Sequence, residues 1–110
     1  MIKEIPANTI PVIPLLPGWK RISDASHYRE HGPWGCTERW YVELWANKDG
    51  SQIFVKGEKE RGPLYEKIIV GFSADRWELE KAVLEVEKKI GDHEAGRQIR
   101  QDWQAGKLGE

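Results

Sequence analysis

The sequence predicts a small α+β domain: an antiparallel sheet of three or four strands, one face covered by a C-terminal helix, with a second short helix and an extended Pro-rich N-terminal arm. Three observations carry that expectation. Residues 37–47 (TERWYVELWAN) alternate in strand period, an Asp49-Gly50 pair follows where a hairpin must reverse, and residues 74–90 place apolar side chains at helical spacing between a serine and a glycine.

The chain reads as an arm over residues 1–17 and a single domain over residues 18–110, a length at which one core is expected. Pro6, Pro11, Pro14 and Pro17 fix φ and remove backbone donors, so the arm should be extended or polyproline-like. Its isoleucines and leucines demand burial, which favours an arm laid across the domain body, with sheet-edge pairing as one way to hold it, over a disordered tail.

Gly18–Ser23 reads as a short first strand, and Asp24–Gly35 as a polar, turn-rich segment containing His27, His31, Gly32, Pro33 and Trp34. In the long strand Thr37–Asn47, Trp40, Val42, Leu44 and Ala46 share one side, and Arg39, Tyr41, Glu43 and Trp45 the other. A two-residue type I′ turn at Asp49-Gly50 leads into a strand Ser51–Gly57. That turn sets Ala46 opposite Ile53 and Leu44 opposite Val55 inside, with Trp45 opposite Phe54 and Glu43 opposite Lys56 outside.

Residues 58–63 (EKERGP) read as a charged turn, and residues 67–72 (KIIVGF) as a third strong strand. Ser73 is the expected N-cap of a helix Ala74–Ile90 that Gly91 ends in the left-handed conformation. Leu79, Val83, Val86 and Ile90 form its buried stripe, widened on one flank by Trp77 and Leu84. The second helix, His93–Gln104, carries only Ile99 and Trp103 as large apolar anchors, so loose docking is expected.

Seventeen Lys and Arg against eighteen Asp and Glu leave a formal net charge of −1, so no long-range field draws the chain to nucleic acid or to an anionic membrane. Six tryptophans are the compositional surplus. Cys36 is the single cysteine, which excludes an intramolecular disulfide and fits a reducing, cytoplasmic setting. The apolar stretch Ile10–Leu16 is broken by Pro11 and Pro14 and is far shorter than the ~20 residues of a spanning helix, so neither signal peptide nor membrane anchor is expected.

His27-Tyr28-Arg29-Glu30-His31 fits the H-x-x-E-H order of inverted zinc peptidases, but that chemistry needs a stable helix and a distant third ligand, and Gly32-Pro33 breaks the chain at once. His27, His31 and Cys36, with a fourth ligand such as His93, make a looser metal candidate that matches no standard zinc module. Cys36 beside His31 lacks a nucleophile elbow, and no Gly-rich loop joins a strand to a helix for phosphate binding. The chain is therefore read as non-enzymatic and without a cofactor.

The candidate binding face is Arg39, Tyr41, Trp45, Phe54, Lys56 and Trp34, with Lys67 beside it. If the arm folds over the rings through Ile10, Val12, Ile13, Leu15 and Leu16, they form a second small core. If it does not, they form an exposed patch for a protein partner, a self-dimer or single-stranded nucleic acid, whose bases stack on rings while Lys and Arg hold phosphates. In topology alone, strands followed by a helix, the chain resembles the single-strand-binding coactivator and Whirly families; no motif of either is present. Arg97, Arg100 and Lys107 read as a solvated helix face. The leading expectation is a small protein-interaction module, an inhibitor or adaptor of phage or mobile-element character. The alternative is a single-stranded nucleic-acid binder, and the third reading a small metal-binding protein.

Overall fold

The structure, a computed structural model, describes residues 2–8, 17–31, 36–62 and 66–104; the side chains of His31 and Cys36 are not among them. The elements run β1 (Lys3–Glu4), β2 (Lys20–His31), β3 (Cys36–Ala46), β4 (Gln52–Arg61), β5 (Glu66–Asp75), a 3-10 turn (Arg76–Glu78), α1 (Leu79–Ile90) and α2 (Glu94–Gln104). The fold is α+β, with a five-stranded antiparallel sheet in the order β1-β5-β4-β3-β2 rather than the three or four strands expected. Both helices lie on one face, α1 over β4 and β5 and α2 over β2 and β3.

The central hairpin keeps the register that the alternation requires: Ala46 faces Ile53, Leu44 faces Val55, Trp45 faces Phe54 and Glu43 faces Lys56. Its turn differs from the type I′ expectation. The Gly50 N–H donates to the Asn47 carbonyl at 3.0 Å, which centres the tight turn on Lys48 and Asp49, and Gly50 follows at φ 74°. Asp49 Oδ1 stabilises this loop by accepting from the Ser51 hydroxyl and the Ser51 N–H. Those hydrogen bonds hold the Asp49 carboxyl below its ordinary pKa.

Strand lengths depart most from expectation. Asp24–His31 is strand, not a polar turn region, because each residue from Ser23 onward pairs with β3 after a bulge at Ile22. β4 runs on through Glu58–Arg61, where a charged turn was expected, and Lys59–Glu38 and Lys67–Glu58 ion pairs accompany the continued ladder. Ser73 is no N-cap: it still pairs with Phe54 and with Lys3 of β1, so β5 continues to Asp75 and α1 begins at Leu79. The arm between residues 9 and 16 lies outside the described residues.

The core is the dry layer between sheet and helices. Leu79, Val83, Val86 and Ile90 are buried as the helical spacing requires, and Gly91 ends α1 at φ 72°. Trp77 and Leu84 do not widen the stripe but face outward, Trp77 with 79% of its surface exposed. A Cβ on Gly57 would lie 2.3 Å from Val86 Cγ1, so glycine at this position lets α1 settle onto β4. Arg100 is not part of a solvated face, and α2 is not loosely held. The Arg100 guanidinium donates through both Nη atoms to the fully buried Glu87 of α1, at 2.9 and 2.6 Å. Ser23 of β2 bonds Asp102 of α2. These pairs tie α2 to both α1 and the sheet.

Candidate functional site

The face of the sheet opposite the helices divides into two halves. Near the β3–β4 turn it is closed. Phe54 is 0% exposed there, Trp45 is half-buried with its indole N–H donating to Glu43 Oε2 at 2.9 Å, and Glu43 is itself buried. Lys56 sits between Glu43 at 3.7 Å and Glu58 at 2.9 Å. Of the six residues of the expected binding face, Trp45, Phe54 and Lys56 belong to this closed half. Trp34 lies outside the described residues.

The other half is open. Beyond the Glu43–Lys56 row, Ser26 and Tyr28 of β2, Arg39 and Tyr41 of β3, and Glu58 and Glu60 of β4 line a depression of about 510 Å³. Strand alternation puts them together: Ser26 pairs with Tyr41 and Tyr41 with Glu58, while Tyr28 pairs with Arg39 and Arg39 with Glu60. Tyr28 is 49% exposed.

Hydrogen bonding and charge sort these groups by availability. Lys67 stands 3.7 Å from both Glu58 and Glu60, so each carboxylate already has a cation. The Tyr41 hydroxyl donates to Asp24 at 3.0 Å, and that of Tyr28 to Glu30 at 3.1 Å. Partial burial, then the Asp24 bond, pushes the Tyr41 phenol up to about 12; partial desolvation and Glu30 raise that of Tyr28. Both phenols therefore stay protonated at neutral pH. Arg39 makes no hydrogen bond or ion pair among the described residues, so it is the cation of the depression left for an incoming group.

Comparison of the chain with protein-family models, with curated proteins and with solved structures finds no match. The residues themselves must carry the functional reading.

The histidines are placed differently. On a strand, His27 and His31 stand roughly 13 Å apart along the chain, not one helical turn as the zinc-peptidase motif needs. His27 Nδ1 is 3.0 Å from Asp92 Oδ1, and its ring stacks on Trp40 at 5.2 Å between centroids. Asp92 Oδ2 also accepts the Ala95 N–H, so the pair joins β2 to the start of α2. His31 and Cys36 are direct partners in the β2–β3 register. His93 is exposed and 3.5 Å from Glu87. Among the described residues, no three His, Cys, Asp or Glu side chains gather as a metal site would require. No helix among them is long and apolar enough to cross a membrane.

Sequence reasoning found Arg39 and Tyr41 but missed Ser26, Tyr28, Glu58 and Glu60. All four lie in stretches read as turns. The available signal was length: Asp24–His31 and Glu58–Arg61 flank the long β3 on both sides, and a strand that long needs equally long neighbours to satisfy its backbone.

Proposed function

We propose that the protein is a non-enzymatic protein-interaction module that engages its partner through the open half of the outer sheet face. The observation that carries this reading is the depression between Tyr28, Arg39 and Tyr41, whose carboxylates are paired with Lys56 and Lys67 while Arg39 makes no hydrogen bond or ion pair among the described residues. Tyrosine and arginine are the residue types that concentrate binding energy at protein interfaces, because each combines a large contact area with a polar end. Mixed charge also favours a protein. Asp24, Glu43, Glu58 and Glu60 interleave with the cations of this face, so it holds single cations and no continuous cationic track for a phosphate backbone.

The test is affinity capture from a lysate of the source cells, with the wild-type chain compared against Tyr28→Ala/Arg39→Ala and against Trp77→Ala. The proposal expects a stoichiometric protein partner that the double variant loses and Trp77→Ala retains. Loss with Trp77→Ala alone would move the interface to the helical layer. Tight, steeply salt-dependent binding of single-stranded oligonucleotides by the purified chain would replace the proposal with its nucleic-acid alternative.

A further inference from the structure

The depression does not end at β2, because β2 is the edge of the sheet. Among the described residues it pairs with β3 alone, along its whole length apart from the bulge at Ile22. Its far edge thus offers a row of backbone donors and acceptors in the arrangement that a further strand requires. The bulge at Ile22 interrupts that row near one end, and Asp102 of α2 and Asp92 just before that helix hold the inner face at Ser23 and His27. The segment from Ala25 to Glu30 is the regular, accessible stretch.

Two guanidiniums flank it, neither with a hydrogen bond or ion pair among the described residues. Arg39 lies on the outer face, one strand inward, beside Tyr28. Arg29 lies on the inner face of β2 itself, with its guanidinium 5.8 Å from the Trp40 ring and its side chain exposed. A strand added to β2 would sit about two strand spacings, roughly 10 Å, from β3, a gap that an arginine and a glutamate span together. Carboxylates at each end bound the register: on the outer face Asp24 accepts from Tyr41 and Glu30 from Tyr28, so an incoming acid is tolerated only between them, opposite Ser26 and Tyr28.

We infer that the β2 edge accepts an extended acidic segment of the partner protein as a sixth strand, with one carboxylate on Arg39 at the outer face and another on Arg29 at the inner face. This rests on the reading of the outer face as a protein interface, and it adds the mode of recognition and the charge of the partner.

The probe is a capped, fluorescein-labelled peptide, Thr-Val-Thr-Val-Glu-Glu-Val-Thr-Val, in which the adjacent glutamates point to opposite faces and occur once, so that a single register serves both arginines. It is titrated into the full chain by anisotropy, with backbone amide shifts recorded in parallel. Two further peptides carry N-methyl groups on alternate residues, in the two possible frames, and a fourth replaces Glu with Lys. Strand addition requires that one methylated frame abolish binding and the other spare it, because N–H groups alternate sides along a strand. Arg29→Ala and Arg39→Ala should each weaken the unmethylated peptide by roughly tenfold, the Lys peptide should not bind, and amides between Ala25 and Glu30 should shift.

Equal binding of both methylated frames, or full binding to the arginine variants, overturns the inference. So does the absence of any binding. Shifts confined to Tyr41, Glu58 and Glu60, with both frames equal, would end strand addition yet leave the outer face as an interface. Shifts on neither the edge nor the outer face, with a captured partner protecting the α1 side, would end both. Displacement of the peptide by oligo-dT at lower concentration would assign the arginines to phosphate.

Discussion

The two faces of the sheet solve opposite problems with similar side chains. On the inner face an ion pair, Glu87 with Arg100, is shut between α1 and α2, and Gly96 makes room for the carboxylate: a Cβ there would fall 2.3 Å from Glu87 Oε2. On the outer face Lys56, Lys67, Glu58 and Glu60 form a ladder open to water. The Glu87–Arg100 pair resists separation because the buried Glu87 cannot be rehydrated in place, whereas exposed charge is exchanged for water at little cost. The inner pair therefore fixes the fold. The outer ladder leaves a surface that a partner can rearrange.

The largest effect belongs to the inner pair. Arg100→Ala leaves Glu87, which is 1% exposed, with only the exposed His93 beside it, and should cost about 3–5 kcal/mol in chemical denaturation. Gly57→Ala comes next, since the added Cβ meets Val86; about 1–3 kcal/mol of overpacking is expected, read the same way. Lys67→Ala on the outer ladder should cost about 0.2–1 kcal/mol, and less in high salt. If Lys67→Ala matched Arg100→Ala, the contrast between the faces would be lost.

The smallest effect is confined to alkaline pH. The folded-state pKa of Tyr41 is raised to about 12 against about 10 in the unfolded chain, so its contribution is fully present below pH ~10 and is lost as pH rises toward ~12. Tyr41→Phe should flatten the decline of stability across that window relative to wild type. An identical slope in the two proteins would place the alkaline loss elsewhere.

The parts of this molecule that were legible in sequence are those where one side of an element is dry. β3 and the first half of β4 alternate because α1 and α2 cover their inner residues, and that alternation sets the register even though the turn is not the type I′ that Asp49-Gly50 suggests. β2 does not alternate. Its inner positions Ser23 and His27 meet Asp102 of α2 and Asp92 just before it rather than an apolar wall, so the binary pattern disappears. Glu58–Arg61 is invisible for a related reason: charged pairs stand there in place of an apolar layer. Ser73 has the chemistry of an N-cap, but ladder pairing to Phe54 and Lys3 outweighs it.

The candidate site inherits that split. Arg39 and Tyr41 follow from the parity of β3, and the rest of the depression comes from strands that composition disguises as turns. Trp45 and Phe54, the most conspicuous aromatics of the expected face, sit in its closed half.

The central claim is that partner binding occurs on the outer face beside β2, and hydrogen exchange of the chain with and without its captured partner tests it most directly. The account predicts new protection across Ser23–Glu30 and Arg39–Tyr41, with the amides of α1 unchanged. Protection confined to the 3-10 turn and α1 around Trp77 and Leu84, with β2 exchanging as in the free protein, would contradict it.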